Sequence, residues 1–406
     1  MGRQYIAVIA VVAVATIVSG QQNVAPCFQE DANTKQSGRL GVEEFGMNLF
    51  REVASNTDKS IIISAYSIWS AFLLAYFGSG GRTQQQLERV LGVEGKTSTF
   101  QRFKRLQFLI ENPFPEDGAV VSTMNKAYFD QRVPLKKCIS QLIHNTEHIN
   151  FRNFGNAAEI INQATSEATR GKITNLVEPR SLIGATFVLL NAIYFQGKWE
   201  TPFKTREIVP TDFKDSRGNV IGQVDMMYSQ RQSKISQAPA LGAEILELPY
   251  ANSSISMFLI LPDGVDVNNV LRRLTPENFQ KSLEKHFDVQ SLVGVPKFKL
   301  ETTLNNDLKQ AMNLLGVTDL FSGQANLTSF SNVPLRADSV VHKAVVEVSE
   351  EGTVAAAATA IIGTRSGGRR KNMVFDKPFI FLIHDKQIGV SLFTGIFRHP
   401  DDVTTV

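Results

Sequence analysis

Apolar positions recur at helical spacing in the first part of the chain. Phe45, Leu49 and Val53 stand at i, i+4 and i+8, which places them on one face of a helix. The run from 67 to 77 is apolar at almost every position, and a helix of that kind is buried on all sides. The pattern therefore predicts an amphipathic helix followed by a central, buried one.

Two further segments carry helix end signals as well as periodicity. In TQQQLERVLG, Thr83 and Gln86 have the spacing of a capping box, and Gly92 is a favourable residue for the C-terminal end. Residues 156–170 predict another helix, which Gly171 closes. Helices are thus expected to dominate the first half of the chain.

Strand patterns dominate the later part. ATFVLLNAIYF (185–195) is β-branched, aromatic and too apolar for an edge strand. VVHKAVVEVSE (340–350) predicts another strand. Two pairs of apolar runs are separated by short turns and predict hairpins: 244–250 with 254–262, and 379–384 with 389–397. Helices first and antiparallel strands later indicate an α+β fold rather than a βαβ array.

The N-terminal segment has the pattern of a secretory signal peptide. Arg3 precedes an apolar run at 6–18, and small residues follow it. The run is too short to span a hydrocarbon core of about 30 Å. No linker, charge block or repeat interrupts the later chain. We therefore predict a signal peptide at 1–20, an N-terminal tail at 21–37 and one domain over 38–400, with secretion from the cell.

Charge and hydropathy exclude several kinds of partner. Lysine and arginine total 42 against 39 aspartates and glutamates, so the chain is close to neutral. A nucleic-acid-binding protein needs a concentrated basic face, which this composition does not suggest. No second apolar segment is long enough for a membrane span. We expect a soluble, monomeric protein without nucleic acid, membrane, metal or cofactor.

Cysteines and sequons fit an extracellular chain. Cys27 and Cys138 are the two cysteines, and an even pair in a secreted protein favours a disulfide. Such a bond would tether the N-terminal tail to the domain, and two free thiols are the alternative. Asn252 and Asn326 each begin an N-x-S/T sequon in polar, turn-like surroundings, which predicts glycosylation.

The stretch EEGTVAAAATAIIGTRSGGRRK (350–371) has an unusual pattern. Residues 352–364 contain neither charge nor proline. Four basic side chains come after them, at Arg365, Arg369, Arg370 and Lys371. One face of an extended chain here would carry Thr353, Ala355, Ala357 and Thr359. The segment is small enough to be exposed and uncharged enough to be buried later.

This stretch resembles the hinge of the serpins, whose reactive loop inserts into a β-sheet after cleavage. Further segments resemble serpin signatures in serpin order: NAIYFQGKWETPF (191–203), DLFSG (319–323), VHKAVVEVSEEGT (341–353), FDKPFIFLI (375–383) and SLFTGIFRHP (391–400). Together they cover essentially residues 38–400. The resemblance implies a serpin fold with three β-sheets, about eight to nine helices and an exposed reactive loop at about 350–374.

The resemblance also implies a mechanism. A serine protease attacks the loop and forms an acyl-enzyme, and the freed segment then inserts into the main sheet before hydrolysis. A charge or proline in the hinge would slow insertion, because an unpaired buried polar group costs a few kcal/mol. The inserting positions of the hinge carry no such residue; the hinge comprises Glu350, Glu351, Gly352, Thr353, Val354, Ala355, Ala356, Ala357, Ala358 and Thr359. We therefore expect an active inhibitor rather than an enzyme or a non-inhibitory carrier serpin.

Two bonds compete as the cleavage site. The usual serpin spacing from the hinge indicates Ser366–Gly367, whereas the bond one residue earlier is Arg365–Ser366. Arginine suits the buried carboxylate of a trypsin-like pocket, so we favour Arg365–Ser366. Arg369–Arg370 is a third, later alternative. If the protease recognises Arg365 as the residue before the scissile bond, the chain resembles arthropod hemolymph serpins that restrain clotting or melanisation proteases.

Two polar sets match serpin positions that control opening of the main sheet. The "shutter" would comprise Ser64, Ser67, Asn191 and His342. The "breach" would comprise Trp199, Lys297 and Glu350, with an ion pair expected between the last two. One departure from the family pattern is Ala65, where serpins usually have proline.

Other motifs are weaker. HNTEH (144–148) fits a metallopeptidase pattern with both histidines on one helix face, but no third ligand is indicated. No G-x-S-x-G elbow or convincing nucleophilic triad occurs. A glycosaminoglycan patch resembling that of heparin-activated serpins could be formed by Arg102, Lys104, Arg105, Lys136 and Lys137. A simple solvated face is the alternative for these basic residues.

Overall fold

The computed structural model describes residues 41–112, 119–352 and 371–404. These ranges contain nine α-helices, whose bounds are α1 Val42–Ser55, α2 Ala65–Gly78, α3 Gly81–Leu91, α4 Lys96–Glu111, α5 Lys137–Leu142, α6 Phe154–Ala168, α7 Val267–Arg273, α8 Pro276–Leu283 and α9 Asn306–Leu315. Short 3₁₀ turns occur at Pro179–Leu182, Thr205–Glu207, Asp319–Phe321 and Pro400–Asp402. None of the described helices is long and apolar enough to cross a membrane.

The helix predictions from periodicity are confirmed for α1, α2 and α6. The stripe of Phe45, Leu49 and Val53 is buried along α1. Every residue of α2 is buried, as the all-round apolar pattern predicted. Helix α6 begins and ends two residues earlier than predicted, and Gly171 lies just beyond it with φ +76°.

The capping box predicted for α3 is wrong. The helix begins at Gly81, so Thr83 lies inside its first turn. The Thr83 hydroxyl accepts the Asn326 N–H at 3.0 Å, and Gln86 donates to the Asp319 carboxylate at 3.0 Å. Both side chains therefore join α3 to a distant segment instead of capping it. The C-terminal end is as predicted, with Gly92 at φ +63°.

A five-stranded sheet contains the two long buried strands that the sequence predicts. Its spatial order is β10-β11-β4-β2-β3, with bounds β2 Val120–Asp130, β3 Thr146–Ile149, β4 Phe187–Gln196, β10 Phe298–Leu304 and β11 Ser339–Val348. Strands β4 and β11 are direct neighbours and run parallel, with His342 opposite Asn191. Strand β10 is antiparallel to β11, and β2 is antiparallel to β4.

The remaining strands form one nine-stranded sheet, in which eight follow the order β1-β14-β13-β8-β7-β6-β9-β12 and β5 pairs with β6 off this path. Their bounds are β1 Ile61–Ile63, β5 Ile208–Lys214, β6 Val220–Ala238, β7 Ala243–Pro249, β8 Ile255–Pro262, β9 His286–Pro296, β12 Lys371–Val374, β13 Phe379–Asp385 and β14 Val390–Phe397. Both predicted hairpins, β7–β8 and β13–β14, are present. The 19-residue strand β6 pairs with β5, β7 and β9, so two of the three expected sheets are continuous here.

Two apolar layers cover the faces of the five-stranded sheet. Alternate side chains of β4 point to opposite faces. Leu189 and Ile193 join the main core with α2, whereas Val188 and Leu190 join a second cluster with Ile161 of α6. The sheet is therefore buried on both faces, which explains why β4 is apolar at nearly every position.

Candidate functional site

A buried polar cluster joins the start of α2 to the middle of the five-stranded sheet. Ser64 is the N-cap of α2, and its hydroxyl accepts the Ser67 N–H at 3.2 Å. The Ser67 hydroxyl donates to Asn125 Oδ1 at 2.9 Å, and the Asn191 amide donates to both Ser67 and Asn125. Asn191 in turn contacts His342 through Oδ1 and Nδ1. The structure thus brings all four predicted shutter residues together.

The contacts of His342 fix its tautomer. The Ser64 N–H can only donate, and it lies 3.1 Å from His342 Nε2. Nε2 is therefore the unprotonated nitrogen, and Nδ1–H donates to the Asn191 carbonyl. The side chain is fully buried. Burial lowers the pKa of His342 to about 3, so the ring is neutral at physiological pH.

Asn125 completes this cluster and was missed by sequence reasoning. It lies on β2 directly opposite Asn191 of β4, and its side chain is buried at 7% exposure. The sequence gives no distinct signal for it, because β2 also contains Ser122, Thr123 and Lys126. Recognising its partner requires the β2–β4 register, which the sequence alone does not supply. We call Ser64, Ser67, Asn125, Asn191 and His342 the inner cluster.

A second set of contacts lies beyond the ends of β4 and β11. Lys297 Nζ and Glu350 Oε2 are 2.9 Å apart, and each side chain is 17% exposed. Burial opposes ionisation of Glu350, but the Lys297 ammonium outweighs it and holds the pKa of the carboxyl below its usual value. Trp199 stacks on Tyr250 with ring centroids 4.6 Å apart. All three predicted breach residues are therefore placed at the same end of the sheet.

Main-chain hydrogen bonds tie the segment after β4 to the segment after β11. The Trp199 N–H donates to the Glu351 carbonyl at 3.1 Å, and the Phe203 N–H donates to the Glu350 carbonyl at 2.7 Å. The Trp199 indole N–H donates to the Ser349 carbonyl at 2.9 Å. We call these contacts, together with the Lys297–Glu350 pair, the outer contacts.

Gly352 marks the point where the chain reverses after β11. It forms antiparallel bridges with both Ser349 and Lys198, so it lies between the ends of the two strands. Its φ is +114°, and a Cβ would lie 2.3 Å from the Gly197 carbonyl oxygen. Glycine is required here both for the conformation and for the close approach. At Gly352 the chain therefore already runs antiparallel to the end of β11.

The rest of the predicted reactive loop lies outside the described residues. This applies to the hinge positions Thr353, Val354, Ala355, Ala356, Ala357, Ala358 and Thr359, and to the cleavage alternatives at Arg365, Ser366, Gly367, Arg369 and Arg370. The described chain resumes at Lys371, whose ammonium contacts the Glu244 carboxylate. Strand β12 then pairs in parallel with β9 and fixes the C-terminal end of the loop.

The predicted modification sites differ in accessibility. Asn252 lies exposed in the β7–β8 turn with φ +48°. Asn326 is half-buried, and its side-chain oxygen accepts from the Thr328 hydroxyl at 2.7 Å. Cys138 lies on α5 and is disulfide-bonded. Its predicted partner, Cys27, lies outside the described residues.

The helix expected around HNTEH is wrong. Residues Thr146–Ile149 form β3, which pairs in parallel with β2. His148 is held by a 2.9 Å contact between Nε2 and the Val133 carbonyl oxygen. Within the described ranges, no group of three or more His, Cys, Asp or Glu residues is placed to hold a metal ion.

A Ser–His–Glu contact in the core has the wrong donor order for a nucleophile. The Ser391 hydroxyl donates to Glu43 Oε1 at 2.6 Å, so His384 Nδ1–H, at 3.0 Å, donates to the same hydroxyl. A catalytic serine would instead donate to histidine. Ser391 is also only 3% exposed, and the three residues serve to join α1 to β13 and β14.

The basic residues considered for a polysaccharide lie on two helices. Lys104 and Arg105 are exposed on α4, and Arg102 is half-buried with its Nε 3.3 Å from the Ser98 carbonyl. Lys136 and Lys137 are exposed at the N-terminal end of α5.

Comparison with known proteins gives one consistent result. The family model described as "Serpin (serine protease inhibitor)" matches residues 41–400. "Iripin-3" of Ixodes ricinus is 31% identical over 372 residues, covering 88% of this chain and 93% of that one. "Intracellular coagulation inhibitor 1" of Tachypleus tridentatus is 29% identical over 375 residues, covering 86% of each. The crystal structure of native protease nexin-1 with heparin aligns with a TM-score of 0.79 at 25% identity, covering 89% of this chain and 99% of that one.

Proposed function

The chain belongs to the serpin family, and from that premise we propose that it is a secreted inhibitor of a trypsin-like serine endopeptidase. The matching family model is described as a serine protease inhibitor, which is not an enzyme. The proposal adds three points to family membership: secretion, the class of target, and a role in an extracellular protease cascade.

The observation that carries the inhibitory mechanism is the position of Gly352. It bridges to residues beyond both β4 and β11, and it is antiparallel to each. Since β4 and β11 are parallel neighbours, a strand inserted between them has the same orientation to both, and the chain at Gly352 already has one common, antiparallel orientation. Gly352 therefore lies where such a strand would begin, and a chain continued from it needs no reversal to enter the gap.

The chemistry proceeds by an acyl-enzyme. The Oγ of the protease serine attacks the carbonyl carbon of the scissile bond and forms an ester with it. The peptide C–N bond breaks, and the new amine takes up the proton of the serine and leaves with the C-terminal part of the loop. The N-terminal part then inserts between β4 and β11 and gains main-chain hydrogen bonds on both sides. The protease, still esterified, is carried away from its catalytic geometry. Inhibition requires that insertion outruns hydrolysis of the ester.

Trypsin-like specificity rests on Arg365. Its guanidinium matches the buried carboxylate of a trypsin-like pocket, whereas a serine at the same place suits few proteases. The proposed role in a cascade rests on similarity to the Tachypleus tridentatus protein named "Intracellular coagulation inhibitor 1". Secretion rests on the N-terminal pattern at 1–20 alone and not on that name. Glycosylation, most accessible at Asn252, fits the same compartment.

A denaturing gel tests the proposal directly. Purified protein is mixed with trypsin, and a covalent complex that survives denaturation is expected. Mass spectrometry of the released C-terminal peptide distinguishes cleavage after Arg365 from cleavage after Ser366. Loop cleavage without a complex would instead support a non-inhibitory carrier serpin. Absence of both cleavage and complex would rule out a trypsin-like target.

A sulfated polysaccharide is a second partner suggested by the basic residues of α4 and α5. The similar structure of protease nexin-1 was determined with heparin. We expect retention on immobilised heparin that falls steeply with salt, and that is reduced when Lys104 and Arg105 are both changed to alanine. Retention unchanged by that substitution would place the binding elsewhere.

A further inference from the structure

Arg231 is a buried cation with an incomplete set of partners. It lies on β6 with 9% of its surface exposed, and its Nε is buried without a hydrogen-bond acceptor. Burial lowers the pKa of Arg231 to about 10. The Glu207 carboxylate opposes this shift by electrostatic attraction, without direct contact. Burying a charge is costly unless it is paired and fully hydrogen-bonded, so the contacts that Arg231 does make need an explanation.

The guanidinium of Arg231 holds three consecutive residues. Nη1 donates to the Thr201 carbonyl at 2.8 Å, and Nη2 lies 3.5 Å from the Pro202 carbonyl. The same group lies over the Phe203 ring, 4.1 Å from its centroid. A planar fork with several fixed donors suits two adjacent carbonyls and an aromatic face in a way that an ammonium does not.

The segment that Arg231 holds also forms the outer contacts. Within 199–203, the two main-chain N–H groups of Trp199 and Phe203 donate to the carbonyls of Glu351 and Glu350. These bonds cross from the end of β4 to the end of β11, where an inserting strand must enter. Movement of the segment would break the Arg231 contacts at the same time.

We propose that Arg231 is a positioning residue that holds segment 199–203 against residues 349–351, and so slows separation of β4 and β11. The inference rests on the proposed insertion mechanism and adds a residue that controls its rate. Removal of the guanidinium leaves the segment held by its outer contacts and by its contacts with Pro249 and Tyr250, which lie outside β4 and β11. Strand entry after cleavage then becomes faster, and the intact form becomes less stable.

Arg398 offers a matched control. It too is 9% exposed with a buried, unpartnered Nε. Its Nη2 donates to the Ala54 carbonyl at 3.0 Å, and its N–H donates to Ser60. These contacts join the end of β14 to α1 and do not involve segment 199–203. Loss of Arg398 should affect the intact and the cleaved protein alike.

The test compares Arg231→Met and Arg398→Met with the wild type, each intact and after loop cleavage by a metalloprotease, which forms no acyl-enzyme. For Arg231→Met we expect the intact form to melt about 2–4 °C lower and the cleaved form to be unchanged. For Arg398→Met both forms should melt lower. The change in tryptophan emission after cleavage should be about tenfold faster in Arg231→Met, since Trp199 lies at the site of entry; Trp69, the other tryptophan, is buried within α2.

Equal loss in both forms of Arg231→Met, or an emission change at the wild-type rate, would overturn the inference. If Arg231→Met does not fold, Arg231→Lys is used in its place, because it keeps the charge and loses the planar guanidinium. The same two outcomes would then overturn the inference.

The behaviour of the wild type distinguishes this inference from the proposed function. A wild type that gains thermal resistance on cleavage but forms no complex with trypsin contradicts only the proposed target. A wild type that gains no resistance contradicts the insertion mechanism and the Arg231 inference together.

Discussion

The inner cluster and the outer contacts fasten the same two strands by different means. In the inner cluster, Asn191 of β4 meets His342 of β11, and both side chains are almost completely buried. Beyond the strand ends, the outer contacts consist of two main-chain hydrogen bonds, the Trp199 indole bond to the Ser349 carbonyl and the Lys297–Glu350 pair, in which each side chain is 17% exposed. A strand that enters between β4 and β11 must open both.

The difference indicates which conditions open each region. The inner cluster contains neutral groups with fixed donor and acceptor roles, so salt should affect it little and a misplaced proton should affect it strongly. The outer contacts include a partly exposed ion pair, which salt weakens. The inner cluster thus fixes the alignment of β4 and β11, whereas the outer contacts, where the strand enters, respond to the solvent.

The largest expected effect comes from preventing the strand from entering at all. We expect Ala357→Glu to raise the moles of inhibitor consumed per mole of trypsin trapped by more than tenfold. An unpaired carboxylate would enter the sheet interior at a cost of a few kcal/mol, and about 1.4 kcal/mol corresponds to tenfold. The stoichiometry is measured by titrating trypsin activity.

Ala356→Glu is the control for that substitution, because neighbouring residues of a strand point to opposite faces. It should increase the stoichiometry less than Ala357→Glu. If both variants inhibit like the wild type, the segment does not insert, and the inner cluster and outer contacts are ordinary structural features.

A large effect on stability is expected from His342→Ala. The substitution leaves the Ser64 N–H and the Asn191 carbonyl buried without partners. We expect the free energy of unfolding of the intact protein to fall by about 3 kcal/mol. His342→Gln, which can restore an acceptor and a donor, should lose less. Denaturant unfolding provides the measurement, and equal losses for the two variants would show that only packing volume matters here.

The pH dependence should distinguish the inner cluster from the outer contacts. Unfolded histidine binds a proton below about pH 6.5, whereas burial lowers the pKa of His342 to about 3 in the folded state. The unfolded state therefore binds more protons between these values. The contribution of His342 to the free energy of unfolding is therefore fully present above pH 6.5. It falls as the pH drops toward 3, by up to about 1.4 kcal/mol per pH unit.

His384 contributes in the same window, because burial lowers its pKa to about 4. The informative quantity is therefore the difference between the wild type and His342→Gln. Above pH 5, where the Glu350 carboxylate keeps its charge, we expect the slope of stability against pH to be clearly smaller in the variant. Equal slopes would mean that His342 takes up a proton in the folded state without losing its contacts.

Sequence reasoning predicted the strands of both regions better than their contacts. Continuous apolar runs are sufficient to identify β4 and β11, because strands buried on both faces have no polar alternation. The capping-box prediction failed because the Thr83 hydroxyl is used by a distant N–H, that of Asn326. The last three residues of HNTEH lie in a strand because they pair with β2. Local propensity cannot anticipate either tertiary contact.

The functional residues show the same limit. Ser64, Asn191 and His342 were found through family resemblance, and Asn125 was not, although it accepts hydrogen bonds from two other members of the cluster. Arg231 was also missed. Its proposed role follows from its burial and from its contacts with carbonyls about 30 residues earlier in the chain. Neither can be seen in the sequence around Arg231.

The smallest expected effect concerns the ion pair of the outer contacts. Lys297 and Glu350 are partly exposed, so the Lys297→Met, Glu350→Gln double-mutant cycle should give a coupling energy of about 1 kcal/mol at low salt. Because salt screens such a pair, the coupling should shrink in about 1 M NaCl. The His342→Ala loss should be unchanged by the same salt, since its partners are neutral and buried. A coupling that resists salt would mean that the two regions are fastened in the same way, and the contrast between them would then reside in their position along β4 and β11 rather than in their chemistry.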